Sequence, residues 1–141
     1  MDLTLCTSSI LARFNNVIFQ EVNFSSLPTT DVIVHIKSNY CNTVNPAYKD
    51  LIRERTTKKQ KKTSYLQGNG NSFNSQVSFL IVGPNCNSRI KLFRNGTLNC
   101  PGTTNITYTI ENIKLLEQYI RMYISDRCEF DDTSIETILQ N

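Results

Sequence analysis

A chain of 141 residues suits one domain with a buried core, and its 39% hydrophobic and 19% charged content are ordinary for a soluble globular protein. No apolar run reaches membrane-spanning length, and the N-terminus lacks the basic-then-apolar pattern of a secretory leader. A net charge of +3 is too small to point to nucleic acid by itself, so the distribution of charge matters more than its sum.

In chain order, Leu3 to Phe14 has strand character, with Ile10, Ala12 and Phe14 on one face and Ser9, Leu11 and Arg13 on the other. Asn15 and Asn16 interrupt it. Val17 to Phe24 is apolar at mixed spacing and reads as a short helix. Pro28 and the Thr-Thr-Asp after it mark a turn. Asp31 to Lys37 is a predicted strand, with Ile33 and His35 on one face and Val32, Val34 and Ile36 on the other. Residues 38–71 are irregular in composition, with a short helical turn predicted around Tyr48 to Arg55. Seven cations fall between Lys49 and Lys62, among them Lys58, Lys59, Lys61 and Lys62. Connections this long inside a domain are uncommon and often functional or disordered.

Three alternating segments follow. Val77, Phe79 and Ile81 alternate with Gln76, Ser78 and Leu80. Ile90 and Leu92 alternate with Arg89, Lys91 and Phe93, and Leu98 and Cys100 with Thr97 and Asn99. Period-two alternation predicts a half-buried antiparallel meander. One helix then runs from an N-cap at Thr109 to about Ser125, with Glu111 in its first turn and an apolar stripe of Ile113, Leu116 and Ile120. The predicted fold is α+β: a curved antiparallel sheet with this helix packed on its convex face. Residues 1–126 form the domain, with a basic loop at 49–71, and 127–141 form a polar tail or a linker.

The chemistry of the residues favours binding over catalysis. The only histidine, His35, sits in a strand pattern. There is no spaced carboxylate pair, no H-E-x-x-H or G-x-S-x-G, and no cysteine or histidine cluster for zinc. The sequence thus predicts no catalytic residue, no metal and no cofactor. The five cysteines lack a C-x-x-C pair and read as reduced thiols of an intracellular protein, mostly core fillers. The three glycosylation sequons, at Asn23, Asn95 and Asn105, read as accidents of an Asn-rich composition. The free face of the meander, with Arg89, Lys91, Phe93, Thr97 and Asn99, is either an ordinary solvated face or a surface that grips a polyanion. The lysine run is either a solvated loop, a localisation signal, or a source of phosphate contacts.

The loop GNGNSFNSQ at Gly68 to Gln76, preceded by the lysine run, and the segment IKLFRNGTLNCPG at Ile90 to Gly102, followed by the predicted helix, resemble one repeat of a TATA-box-binding protein. More particularly, they resemble the divergent members of that family in large cytoplasmic DNA viruses. The resemblance covers about half of the chain. It implies a half-saddle whose concave sheet lies in a DNA minor groove, with Phe93 as a wedge and Thr97, Asn99 and Pro101 at the groove floor. It implies contacts from Ser78 on the same face and phosphate contacts from Arg89, Lys91, Lys58, Lys59, Lys61 and Lys62. Gln76 replaces the phenylalanine expected at a second wedge, unless Phe73 or a shifted register supplies the ring. The implied partners are A·T-rich duplex DNA, transcription machinery, and a second repeat or partner subunit, with no membrane. The implied role is viral transcription initiation, in the host cytoplasm, virion or host nucleus. A protein-interaction module of the same fold without DNA contact is the other reading, and RNA stacking on the sheet a third.

Overall fold

The alternation in the sequence becomes a sheet because each strand has one face to bury. A computed structural model of the chain describes residues 7–17, 22–39, 41–52 and 76–140. Among these residues the strands are β1 (Thr7–Asn15), β2 (Ile33–Lys37), β3 (Asn42–Val44), β4 (Gln76–Val82), β5 (Asn87–Phe93), β6 (Thr97–Thr103), β7 (Glu129–Phe130) and β8 (Glu136–Gln140). One long helix, α1 (Ile106–Tyr123), lies between β6 and β7. The strands form an open antiparallel sheet in the order β3-β2-β4-β5-β6-β1, and β7 and β8 both pair with the far side of β1.

The helix packs on one face of this sheet, so the fold is α+β, as the sequence predicts. Ile113, Leu116 and Ile120 of α1 are fully buried. They join Val77, Phe79 and Ile81 of β4, Ile90 and Leu92 of β5, Leu98 and Cys100 of β6, and Ile10, Ala12 and Phe14 of β1 in one core. The opposite face carries the other phase of each strand. The predicted faces of β1, β4 and β5 therefore hold.

Several local expectations do not. The helix starts a turn earlier than predicted: Asn105, not Thr109, is the N-cap, its Oδ1 accepting from the Tyr108 N–H at 3.0 Å. Thr109 is buried within the helix and donates its hydroxyl to the Asn105 carbonyl at 3.0 Å. Glu111 lies past the first turn and accepts from Asn85 Nδ2. Two residues here can cap; starting at Asn105 puts Thr109 inside the helix as part of its buried stripe. In β2 the strict alternation fails at a bulge between Ile33 and His35, so Ile33 and Ile36 both reach the core. Of the helix predicted over 17–24, residues 18–21 lie outside the described residues; Val22 and Asn23 are not helical, and Phe24 begins a single-turn 3-10 helix, Phe24–Ser26, capped by Asn23. The helical turn predicted over Tyr48 to Arg55 lies partly outside the described residues; a 3-10 helix at Pro46–Tyr48 leads into it.

The segment expected as a polar tail returns to the sheet. β7 pairs with Phe14 and Asn15, and β8 pairs with Thr7 to Leu11. The gap between them is closed at Arg13, whose carbonyl accepts from the Asp131 N–H (3.0 Å) and whose N–H donates to Ser134 Oγ (2.9 Å). Hydrogen bonds from Thr133 and from the Arg13 guanidinium hold the Asp131 carboxyl below the usual carboxylate range. Arg121 Nε donates to the Cys128 carbonyl and Glu117 accepts from the Phe130 N–H, which ties this returning segment to α1. Its apolar content is too low and too scattered for periodicity to reveal these strands.

β5 and β6 are joined by Arg94, Asn95 and Gly96, a three-residue hairpin loop with the glycine at φ +95°. The Gly96 N–H closes the turn on the Phe93 carbonyl (2.8 Å), and its own carbonyl accepts from the Phe14 N–H (2.8 Å). A Cβ on Gly96 would collide with the Phe14 carbonyl oxygen as well as strain the backbone. Gly96→Ala is therefore expected to lower stability by about 1–3 kcal/mol. Urea denaturation checks this, and a neutral result would mean that the hairpin has another geometry.

Candidate functional site

The face of the sheet away from α1 is built row by row from strand register. One row runs Lys37, Ser78, Lys91, Asn99 and Leu11, from β2 through β4, β5 and β6 to β1. A second brings together Val44, His35, Leu80 and Arg89. At the other end Gln76 stands opposite Phe93, and Thr97 opposite Arg13. Ser78, Arg89, Lys91, Phe93, Thr97 and Asn99, all expected on one surface, do share this face and are half-buried. Gln76 and Pro101 are exposed.

Local chemistry fixes several of these groups. His35 is buried, with 1% of its surface exposed. Its Nδ1 lies 3.0 Å from Arg89 Nη1, and its Nε2 lies 2.7 Å from Asn42 Oδ1. A guanidinium only donates, so Nδ1 accepts and Nε2–H donates to Asn42. The imidazole is thus a neutral strut that orients the Arg89 fork on the sheet. Leu80 and Val34 are buried beside it but stand outside the core under α1. The Asn99 Oδ1 is buried with no hydrogen-bond partner, next in its row to Lys91. A buried acceptor without a partner is one that a ligand donor could satisfy. Phe93, Arg94, Asn95 and Thr97 line a shallow depression at the β5–β6 turn, mostly apolar at its surface.

Pro101 lies further along β6 on the same side. It has no N–H, and the β5–β6 register ends two residues earlier, at Lys91 and Asn99. Gly102, at φ +68°, then takes β6 through the irregularity that lets Thr103 pair with Ser8. Pro101 and Arg89 share a small polar cleft with Cys86, Ser88 and the start of α1.

Lys58, Lys59, Lys61 and Lys62, and with them the basic loop and Phe73, lie outside the described residues. Several contributors to the face were missed in sequence: Lys37, Asn42, Leu11 and Arg13. The alternation of Leu11 and Arg13 was visible, but that β1 lies beside β6 was not, because nothing local records a pairing between positions so far apart. Asn112 was missed as well. It is buried in the helix stripe and donates to Ser88 Oγ (2.8 Å) and the Cys86 carbonyl (3.0 Å), which fixes the β4–β5 connection to α1.

Cys41, Cys100 and Cys128 are buried members of the core. Burial pushes the Cys100 and Cys128 thiols up to about 12, so both stay protonated near neutral pH. Among the described residues no group of three His, Cys, Asp or Glu could hold a metal ion, and no helix is long and apolar enough to cross a membrane. Comparison with known proteins finds no matching family model, no matching curated protein and no matching solved structure.

Proposed function

We propose that this chain binds duplex DNA through the sheet face opposite α1, in the manner of a viral transcription initiation factor. The observation that carries the reading is the row Lys37–Ser78–Lys91–Asn99, with Arg89 and Phe93 on the same face of the flanking positions. Lys37 and Lys91 flank Ser78 in this row and suit phosphate contacts, and the hydroxyl and carboxamide groups beside them suit base edges. Phe93 is an aromatic ring at the rim of that surface, where an apolar wedge can unstack a base step. Minor-groove readout is degenerate, so the expected preference is for A·T-rich, easily deformed duplexes over a strict sequence.

A protein-interaction role has its own support. Leu11 is half-buried on the same face, and Phe93 adds a half-buried ring, so the surface is not purely polar. An interface core of that kind, rimmed by cations, also suits an acidic protein partner.

Lys91→Gln separates the two. Its side chain stands between Ser78 and Asn99 and outside the core, so the fold should survive. If Lys91 meets a phosphate, its loss removes roughly 0.9 from the salt slope, which is about tenfold in affinity near 0.1 M salt. Fluorescence anisotropy on an A·T-rich duplex reads this directly. Parent binding that Lys91→Gln leaves unchanged would move the proposal to the protein-interaction role.

A further inference from the structure

The sheet ends differently on its two sides. One edge is β3, three residues long and followed by Asn45 and Pro46, which discourage further pairing. The other is β8, five residues reading ETILQ. No strand among the described residues pairs with the outer side of β8. It carries neither lysine nor proline, and its apolar residues are open: Ile138 is 48% exposed and Leu139 73%. Folded proteins usually blunt an edge of this kind, because its unpaired N–H and C=O groups are a template for another strand.

We propose that β8 pairs with β8 of a second copy of this chain, antiparallel across a two-fold axis at Ile138. The sequence is self-complementary in that register. Ile138 falls opposite Ile138 of the second copy, and Thr137 opposite Leu139. Glu136 falls opposite Gln140, so no two like charges meet. Ile138 pairs with Ser9 of its own β1, which puts the Ile138 pair on the face away from the helix. Leu139 lies on the helix side, in one row with Ser8 and Thr103. The nearby start of α1 adds exposed Ile106 and Tyr108 to that side. The row Lys37–Ser78–Lys91–Asn99–Leu11–Glu136 then runs on into the second copy, and the two polar faces become one continuous surface. This pairing stands apart from the nucleic-acid reading and holds whatever the face binds. The contact is isologous, so assembly closes at two copies.

The test is the self-association of the full chain by sedimentation equilibrium, over roughly micromolar to millimolar concentration, where small interfaces associate. The parent is expected to reach the mass of a dimer and no more. Ile138→Lys and Ile138→Glu place like charges opposite each other at the axis, and each alone should associate at least about tenfold more weakly. Both substitutions sit at an exposed position, and circular dichroism confirms that the strands persist. An equimolar mixture of the two variants restores an opposite-charge pair and should recover the dimer. A parent that stays monomeric, or growth past the dimer, would overturn the proposal. So would variants that associate like the parent, or a mixture no stronger than its components.

Discussion

Leu116→Ala is expected to lower the free energy of unfolding by about 2–5 kcal/mol, a large share of a small domain's stability. Leu116 has no exposed surface and sits at the middle of the α1 stripe, between Ile113 and Ile120. Under it lie the inward residues of the central strands, among them Phe79, Ile90 and Leu92. Truncation leaves a cavity that a helix seated on several strands cannot readily collapse into. The helix is further held at its start by Asn112 on the β4–β5 connection, and towards its end by Tyr119, whose hydroxyl donates to the Pro28 carbonyl. Both anchors oppose a compensating shift. Chemical denaturation of parent and variant measures the loss. A change under about 0.5 kcal/mol is what an exposed position gives, and it would contradict the packing of α1 on this sheet.

Phe93→Ala is expected to separate binding from folding. Phe93 is half-buried on the face away from the core and belongs to no part of the core cluster. Its replacement should therefore cost little stability. If Phe93 is the wedge, the variant should bind A·T-rich duplex on the order of tenfold more weakly, and bend it less. Energy transfer between dyes at the two ends of the duplex reads the bend, and gel shift reads the affinity. The neighbour across the strands is Gln76, a polar group at the position where the resemblance implies a second ring. Unless Phe73 supplies that ring, any bending should then depend on Phe93 alone. A Phe93→Ala variant that binds and bends as the parent does would remove the wedge from the mechanism.

How far the sequence could be read depended on the range of each interaction. Alternation is local, so the inward and outward residues of β4, β5 and β6 were legible, and with them most of the candidate face. The stripe of Ile113, Leu116 and Ile120 was legible for the same reason. The exact start of α1 was not, because Asn105 and Thr109 are both competent caps and only the tertiary burial of Thr109 distinguishes them. β7 and β8 were illegible: their partner, β1, lies more than a hundred positions away in sequence, and two short polar strands carry little periodic signal. The bulge in β2 was hidden too, since a run of Val, Ile, Val, His and Ile reads as unbroken alternation in either phase. Its consequence is local to the candidate face, because it sets His35 against Arg89.

The account turns on whether that face meets phosphates. The most direct measurement is the affinity of the full chain for an A·T-rich duplex as salt is raised. If Lys37, Arg89 and Lys91 each meet a phosphate, the logarithm of the binding constant should fall linearly with the logarithm of salt concentration. The slope should be roughly −2.7, at about −0.9 for each contact, and steeper if other cations also contribute. Binding with a slope near zero, or no binding at low salt, would contradict the account.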